Sequence, residues 1–174
     1  RRQQSAMMMI DAFLPEGVTS LSVDSIFMMP QLGVLTEVHD RAAEQVFDRD
    51  CIIYLGTCVA PVGEAKTGRE MLKYRIDLPS GPVEGTLMFG ELKRFPLGVG
   101  EKAAAVLEPA RGLDLGLGKG NKVEGELDGG VVGIILDGRG RPFALPEEES
   151  ERVSKLKEWF AEMDLYPQEE FTKL

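Results

Sequence analysis

The sequence predicts an α+β fold that is predominantly antiparallel β: a barrel- or sandwich-like β module with a helical N-terminal segment and a C-terminal helix. Three observations predict it. Short apolar or alternating runs recur between glycine- and proline-bearing turns from Cys51 to Leu145. Apolar residues fall at helical spacing near the start of the chain and again after Pro146. With 43% apolar and 28% charged residues, a chain of 174 residues can bury a real core and is not disordered by composition.

The elements follow in order. Residues 1–14 read as a helix, with Met7, Ile10 and Leu14 at helical spacing, Ala6 and Phe13 beside them, and Pro15-Glu16-Gly17 as the stop. Val18–Val23 is a short strand ending at Asp24. After Pro30, Gln31–Val38 is apolar enough for a buried short helix, and Asp40 to Phe47 forms another with Ala42, Ala43, Val46 and Phe47 inward. Residues 1–49 are therefore a helix–strand–helix segment, and residues 50–174 a β-rich module. Cys51–Leu55 and Cys58–Ala60 are β-rich runs around Gly56. Met71–Asp77 alternates, with Leu72, Tyr74 and Ile76 on one face; Leu78–Pro82 is a loop and Val83–Phe89 the return strand. Residues 102–108 form a further strand. Val123–Leu127 and Val131–Leu136 follow, split by Asp128-Gly129-Gly130 as a tight hairpin turn. The second of these is apolar on both faces, as a central buried strand is. A last helix carries Glu147, Glu148 and Glu149 in its first turn, where the macrodipole favours negative charge, and Val153, Leu156, Phe160 and Met163 as its apolar stripe, with Trp159 alongside.

The inventory restricts the chemistry. A net charge of −9 argues against nucleic acid, which needs a basic footprint. No apolar run approaches the ~20 residues of a bilayer span, and no signal peptide opens the chain. With two cysteines a disulfide framework is excluded, so a reducing cytoplasm is the expected compartment. Cys51 and Cys58 read as buried structural thiols rather than zinc ligands. The single histidine, His39, has no catalytic signature around it, and Asp40 beside it reads as the cap of a short helix.

Gly112–Asn121 has the look of a phosphate-binding loop. Lys119 is followed by Gly120-Asn121 rather than the Ser/Thr of a Walker loop, and Asn121 stands where a dinucleotide fingerprint needs glycine. The strand-like alternation of Lys122–Leu127 also replaces the helix such a loop requires. A turn that brings two strands together is the favoured reading, with glycine supplying positive φ.

Several stretches resemble one family. Leu14–Thr19 and Ser25–Leu35 are similar to segments of the glutamate-mutase-associated MutL proteins, which are distinct from the mismatch-repair proteins of that name. So are Gly100–Ala103, Pro109–Gly118 and Gly129–Pro142, and the resemblance extends over roughly residues 6–165. It implies a larger parent that begins with an ATPase lobe of the actin/Hsp70/sugar-kinase kind and serves as a reactivating or maturation factor for an adenosylcobalamin-dependent mutase. Residues 1–49 would be the tail of that lobe and 50–174 the family's C-terminal module. The phosphate-binding segments would lie before residue 1, so ATP and magnesium are expected only there and no cofactor is assigned to this stretch.

Three functional readings follow, in order of preference. The first is a non-catalytic C-terminal module of such a factor, with the mutase as partner. The second is a generic β-rich interaction or scaffold module. The third is a free-standing enzyme using Arg111-Gly-Leu-Asp114 and Asp137-Gly-Arg139-Gly-Arg141 as an acid–cation site. No catalytic, cofactor-binding or metal-ligating residue is assigned. Arg111, Asp114, Arg139 and Arg141 are the candidate partner- or anion-contact residues, because rigid β scaffolds present binding residues on loops and arginine pairs well with phosphate and carboxylate. The bland reading of the same residues is that they brace their turns.

Overall fold

In a computed structural model the chain is described over residues 1–66, 68–143 and 145–166; the end of the predicted β-rich module, 167–174, lies outside the described residues. The elements are α1 (Arg2–Phe13), β1 (Gly17–Asp24), α2 (Met29–Val46) running into a π-helical turn (Phe47–Cys51), β2 (Ile52–Ala60), β3 (Glu70–Leu78), β4 (Gly81–Met88), β5 (Leu92–Phe95), β6 (Lys102–Pro109), β7 (Val123–Asp128), β8 (Gly133–Asp137) and α3 (Glu149–Glu162).

The strands form two open four-stranded sheets, ordered β1-β2-β8-β5 and β4-β3-β6-β7. Every neighbouring pair is antiparallel except β2 and β8, which run parallel from Gly56↔Gly133 to Val59↔Leu136. The architecture is thus sandwich-like and not a closed barrel. Side chains of β3 and β6, such as Leu72, Ile76 and Leu107, meet Val59, Ile134 and Leu136 of the first sheet in a shared core. The opposite face of the first sheet is covered by Ala6, Met7 and Ile10 of α1 and by Trp159 and Met163 at the end of α3. The first sheet is therefore the middle of three layers. That position explains why β8 is apolar on both faces and why Ile134, Ile135 and Leu136 are all fully buried.

Several expectations need correction. β7 and β8 do not form a hairpin, because they belong to different sheets. Gly129 and Gly130 serve close approach instead: a Cβ on Gly130 would stand 2.3 Å from the carbonyl carbon of Leu55, and one on Gly129 2.1 Å from the oxygen of Gly98. The chain crosses here from one sheet to the other, with Val131 and Val132 donating to the oxygens of Tyr54 and Leu55 before β8 begins. The short strand β5 was not expected, since Leu92-Lys-Arg-Phe95 has neither alternation nor β-branched residues to mark it. Phe13 and Val153 are exposed.

Residues on both sides of position 49/50 contribute to the first sheet and its cover. β1 pairs with β2 along its whole length, from Gly17↔Ala60 to Asp24↔Ile52, and α1 packs on the same sheet. No helix among the described residues is long and apolar enough to cross a membrane.

Candidate functional site

The loop residues singled out in the sequence fall into two groups that one segment brings side by side. Val62 bridges to Asp114, and the adjacent Gly63 bridges to Arg141. Asp114 is half-buried, and its Oδ1 accepts the N–H groups of Gly116 (2.7 Å) and Gly118 (2.9 Å). Two of the backbone donors that a phosphate would need in this glycine-rich loop are thus taken by the chain's own carboxylate. Arg111 is exposed and forms no ion pair among the described residues.

Arg139 and Arg141 are not surface residues; they retain 2% and 5% of their exposure. Asp137, at the end of β8, holds both. Arg139 donates through Nε to Oδ1 and through Nη2 to Oδ2, each at 2.9 Å, and Arg141 Nη2 reaches Oδ2 at 2.9 Å. Arg141 also donates to the oxygens of Pro15 and Gly140. Arg139 Nη1 lies 2.8 Å from Asp11 Oδ1 of α1, an ion pair without the alignment of a hydrogen bond. Its guanidinium carbon sits 4.8 Å from the Phe143 ring centroid and 5.2 Å from that of Trp159. Burial pushes the Asp137 carboxyl up, but Arg139 and then Arg141 outweigh it and hold the group below its ordinary value. Three charges in one dry site are tolerable only because each is paired and hydrogen-bonded. The network ties α1, the α1–β1 turn, β8 and α3 together. Arg139 and Arg141, expected on exposed contact turns, are instead buried, and the donors they use on Asp137 brace the fold.

The surface that does face outward lies elsewhere, between β1 and β2. Antiparallel neighbours need only a short turn, yet residues 25–51 form a helical excursion. Asp24 starts it, accepting from the N–H of Met29 at 2.9 Å and of Ile26 at 3.2 Å, and the Met29 bond holds its carboxyl below the ordinary value. Both the N–H and the hydroxyl of Ser25 close the base by donating to the Cys51 oxygen at 2.9 Å.

Within α2 the backbone leaves helical geometry at His39 (φ −149°, ψ 74°), and Asp40 Oδ1 takes the next N–H, that of Arg41. The helical start expected at Asp40 is thus present, as the second limb of one element. Leu32 and Ala43 pack together with Cys51, Phe47 and Met28. A straight helix would hold Leu32 and Ala43 ~16 Å apart, so the limbs fold back on one another as a hairpin.

This arm has a small core of its own, and α2 packs chiefly on the π-helical turn that closes it. The expectation of a buried helix over Gln31–Val38 is overturned, since Leu32 alone in that stretch is buried. Phe27 (76% exposed), Val34 (69%) and Val38 (75%) point outward, with Ile26 and Met29 beside them. Phe27 also holds a left-handed backbone (φ 55°), which is unfavourable for a bulky side chain by ~1–2 kcal/mol. A groove of about 210 Å³ runs between the limbs, lined by Met29, Leu32, Gly33 and Thr36 of the first and by Ala43, Glu44 and Phe47 beyond the break. Exposed apolar side chains on one face of the arm and an apolar groove between its limbs are the features of an interaction site.

Among the described residues no group of three or more His, Cys, Asp and Glu side chains is gathered as a metal site. Cys51 and Cys58 are both buried and free, and burial pushes the Cys58 thiol far up. No family model, curated protein or solved structure matches the chain.

Proposed function

We propose that this chain is a non-catalytic interaction module that grips a partner through the helical arm, and that the partner is an adenosylcobalamin-dependent mutase, as the MutL resemblance implies. The arm carries the reading: Phe27, Val34 and Val38 hold large apolar surface in water at the tip of a rigid sandwich, where only association removes it from solvent. In the parent that the resemblance implies, ATP and magnesium act in the upstream lobe, and this module supplies surface. Two free buried thiols agree with a cytoplasmic location.

A scaffold module with no enzyme partner is the second reading, favoured equally by the same arm; the identity of the partner separates them. The test is capture of the purified cognate mutase by the immobilised chain, beside the Val34→Glu plus Val38→Glu variant. Capture by the first and at least about a tenfold loss in the second are expected, since two carboxylates would be desolvated in the interface. Failure of the unaltered chain to retain the mutase overturns the mutase assignment.

A further inference from the structure

Resting on the reading of the chain as an interaction module, we infer that the groove between the two limbs of the 25–51 arm receives an amphipathic basic helix of the partner. Shape, charge and one glycine each point that way.

Two antiparallel helical limbs with apolar residues facing a shared groove lack the third helix that would bury them. The first limb, from Met29 to Val38, is about 15 Å long, which fits an occupant helix of some ten to fourteen residues.

The arm that holds the groove is acidic. Residues 25–51 carry Glu37, Asp40, Glu44, Asp48 and Asp50 against Arg41 and Arg49. Arg49 is spent on Asp50, through hydrogen bonds of 2.9 and 2.8 Å. Glu37, Glu44 and Asp48 are exposed and have no ion-pair partner among the described residues, and Glu44 stands at the groove itself. An apolar seam that holds Glu44, on an arm with further free carboxylates, complements a helix with apolar residues on one face and Lys or Arg flanking it. A second copy of this chain fits poorly, because two acidic arms would meet.

Gly33 supplies the third indication. It lies inside the first limb with ordinary helical φ, where glycine is unfavourable, and a Cβ there would meet no atom of this chain within 4 Å. Nothing inside the molecule requires a glycine at that position. A helix crossing closely over the limb does, since only a bare Cα lets the two backbones approach.

The experiment uses the whole chain and a synthetic helix of about fourteen residues with Leu at i, i+3, i+4 and i+7 and Lys elsewhere, beside the same peptide with Glu for Lys. Binding is read by anisotropy of the labelled peptide, and folding by the emission of Trp159. The Lys peptide is expected to bind with a Kd of about 50 μM or tighter and to weaken at least about tenfold between about 0.05 and 0.5 M salt, while the Glu peptide does not bind.

Gly33→Ala is expected to raise the melting midpoint by about 2–4 °C, and Gly33→Leu to reduce peptide binding at least about tenfold in a folded protein. Glu37→Gln plus Glu44→Gln plus Asp48→Asn is expected to reduce it similarly. Glu84→Gln plus Glu124→Gln plus Glu126→Gln, on the second sheet, is expected to leave it unchanged.

Absence of binding, equal loss in both triple variants, undiminished binding by Gly33→Leu, or a dimer of the free chain dispersed by Val38→Glu would each overturn the inference. Capture of the mutase without peptide binding removes the groove and keeps the module. Peptide binding without mutase capture keeps the groove and removes the mutase.

Discussion

At the scale of single residues, Asp137 decides what Arg139 and Arg141 can do. A carboxylate with its side chain fully buried engages both guanidinium groups at once and fixes where they point. Arg139→Ala should destabilise the fold by about 3–5 kcal/mol, because it strands Asp137 with one partner and Asp11 with none; urea unfolding measures it. The pH dependence has a definite sign. Folding lowers the Asp137 pKa, so its contribution is complete above the ordinary carboxyl value of 3.8 and is lost as pH falls below that. Melting temperatures recorded downward from pH 5 should therefore drop in the native chain and drop less in Asp137→Asn, whose starting stability is lower. The stretch Asp137-Gly-Arg-Gly-Arg141 was legible as a turn but not as a buried ion network. Its glycines and charges are what exposed turns also contain, and only the packing of α1 and α3 over the sheet excludes water from it.

At the scale of elements, the arm is the part least visible in the sequence. Met28, Met29, Leu32, Val34, Leu35 and Val38 make the first limb apolar nearly all round, and such a helix ordinarily reads as buried. The available signal was contextual: residues 25–51 intervene between two strands that pair directly, so whatever they form projects from the end of a ribbon. Asp24 and Ile52 face each other across β1 and β2, so a short turn could join the strands in place of the arm. Replacing residues 25–51 by a two-residue Asn-Gly turn should leave a cooperatively folded protein with unchanged Trp159 emission, while peptide and partner binding disappear. Loss of the folded state would show that the arm supports the sheets. β3 was readable because its alternation matches a face that is buried, and α1 and α3 because most of their apolar stripe is. β5 was not, since its four residues take their place from pairing with β8 rather than from any pattern of their own.

At the scale of the whole molecule, the first sheet is shared by both cores, and Ile134 and Ile135 of β8 face opposite layers. Ile134→Asp should abolish the native state, since an unpaired buried carboxylate costs several kcal/mol against a total near 5–15 kcal/mol. The readout is convenient. Trp159 is the only tryptophan, is 4% exposed and donates to the Gly90 oxygen at 2.8 Å, so its emission should be blue-shifted in the native chain and red-shifted in this variant. A native emission and melting curve for Ile134→Asp would contradict the layer assignment.

The parallel pairing of β2 with β8 sets an order in time. All strands of the second sheet lie between those two partners in the chain, and β3, β4, β6 and β7 pair through comparatively local connections. The first sheet has to wait for β8, the last strand made, and it closes the longest loop of the fold. The rate-limiting barrier should therefore be crossed with the second sheet largely formed and β8 still undocked. In refolding experiments Ile76→Val should slow folding, whereas Ile135→Val should act mainly by speeding unfolding; the opposite assignment would place β8 in the nucleus. Until β8 arrives, β2 keeps an open edge beside its apolar arm, so the nascent chain is most prone to association before β8 has emerged and docked.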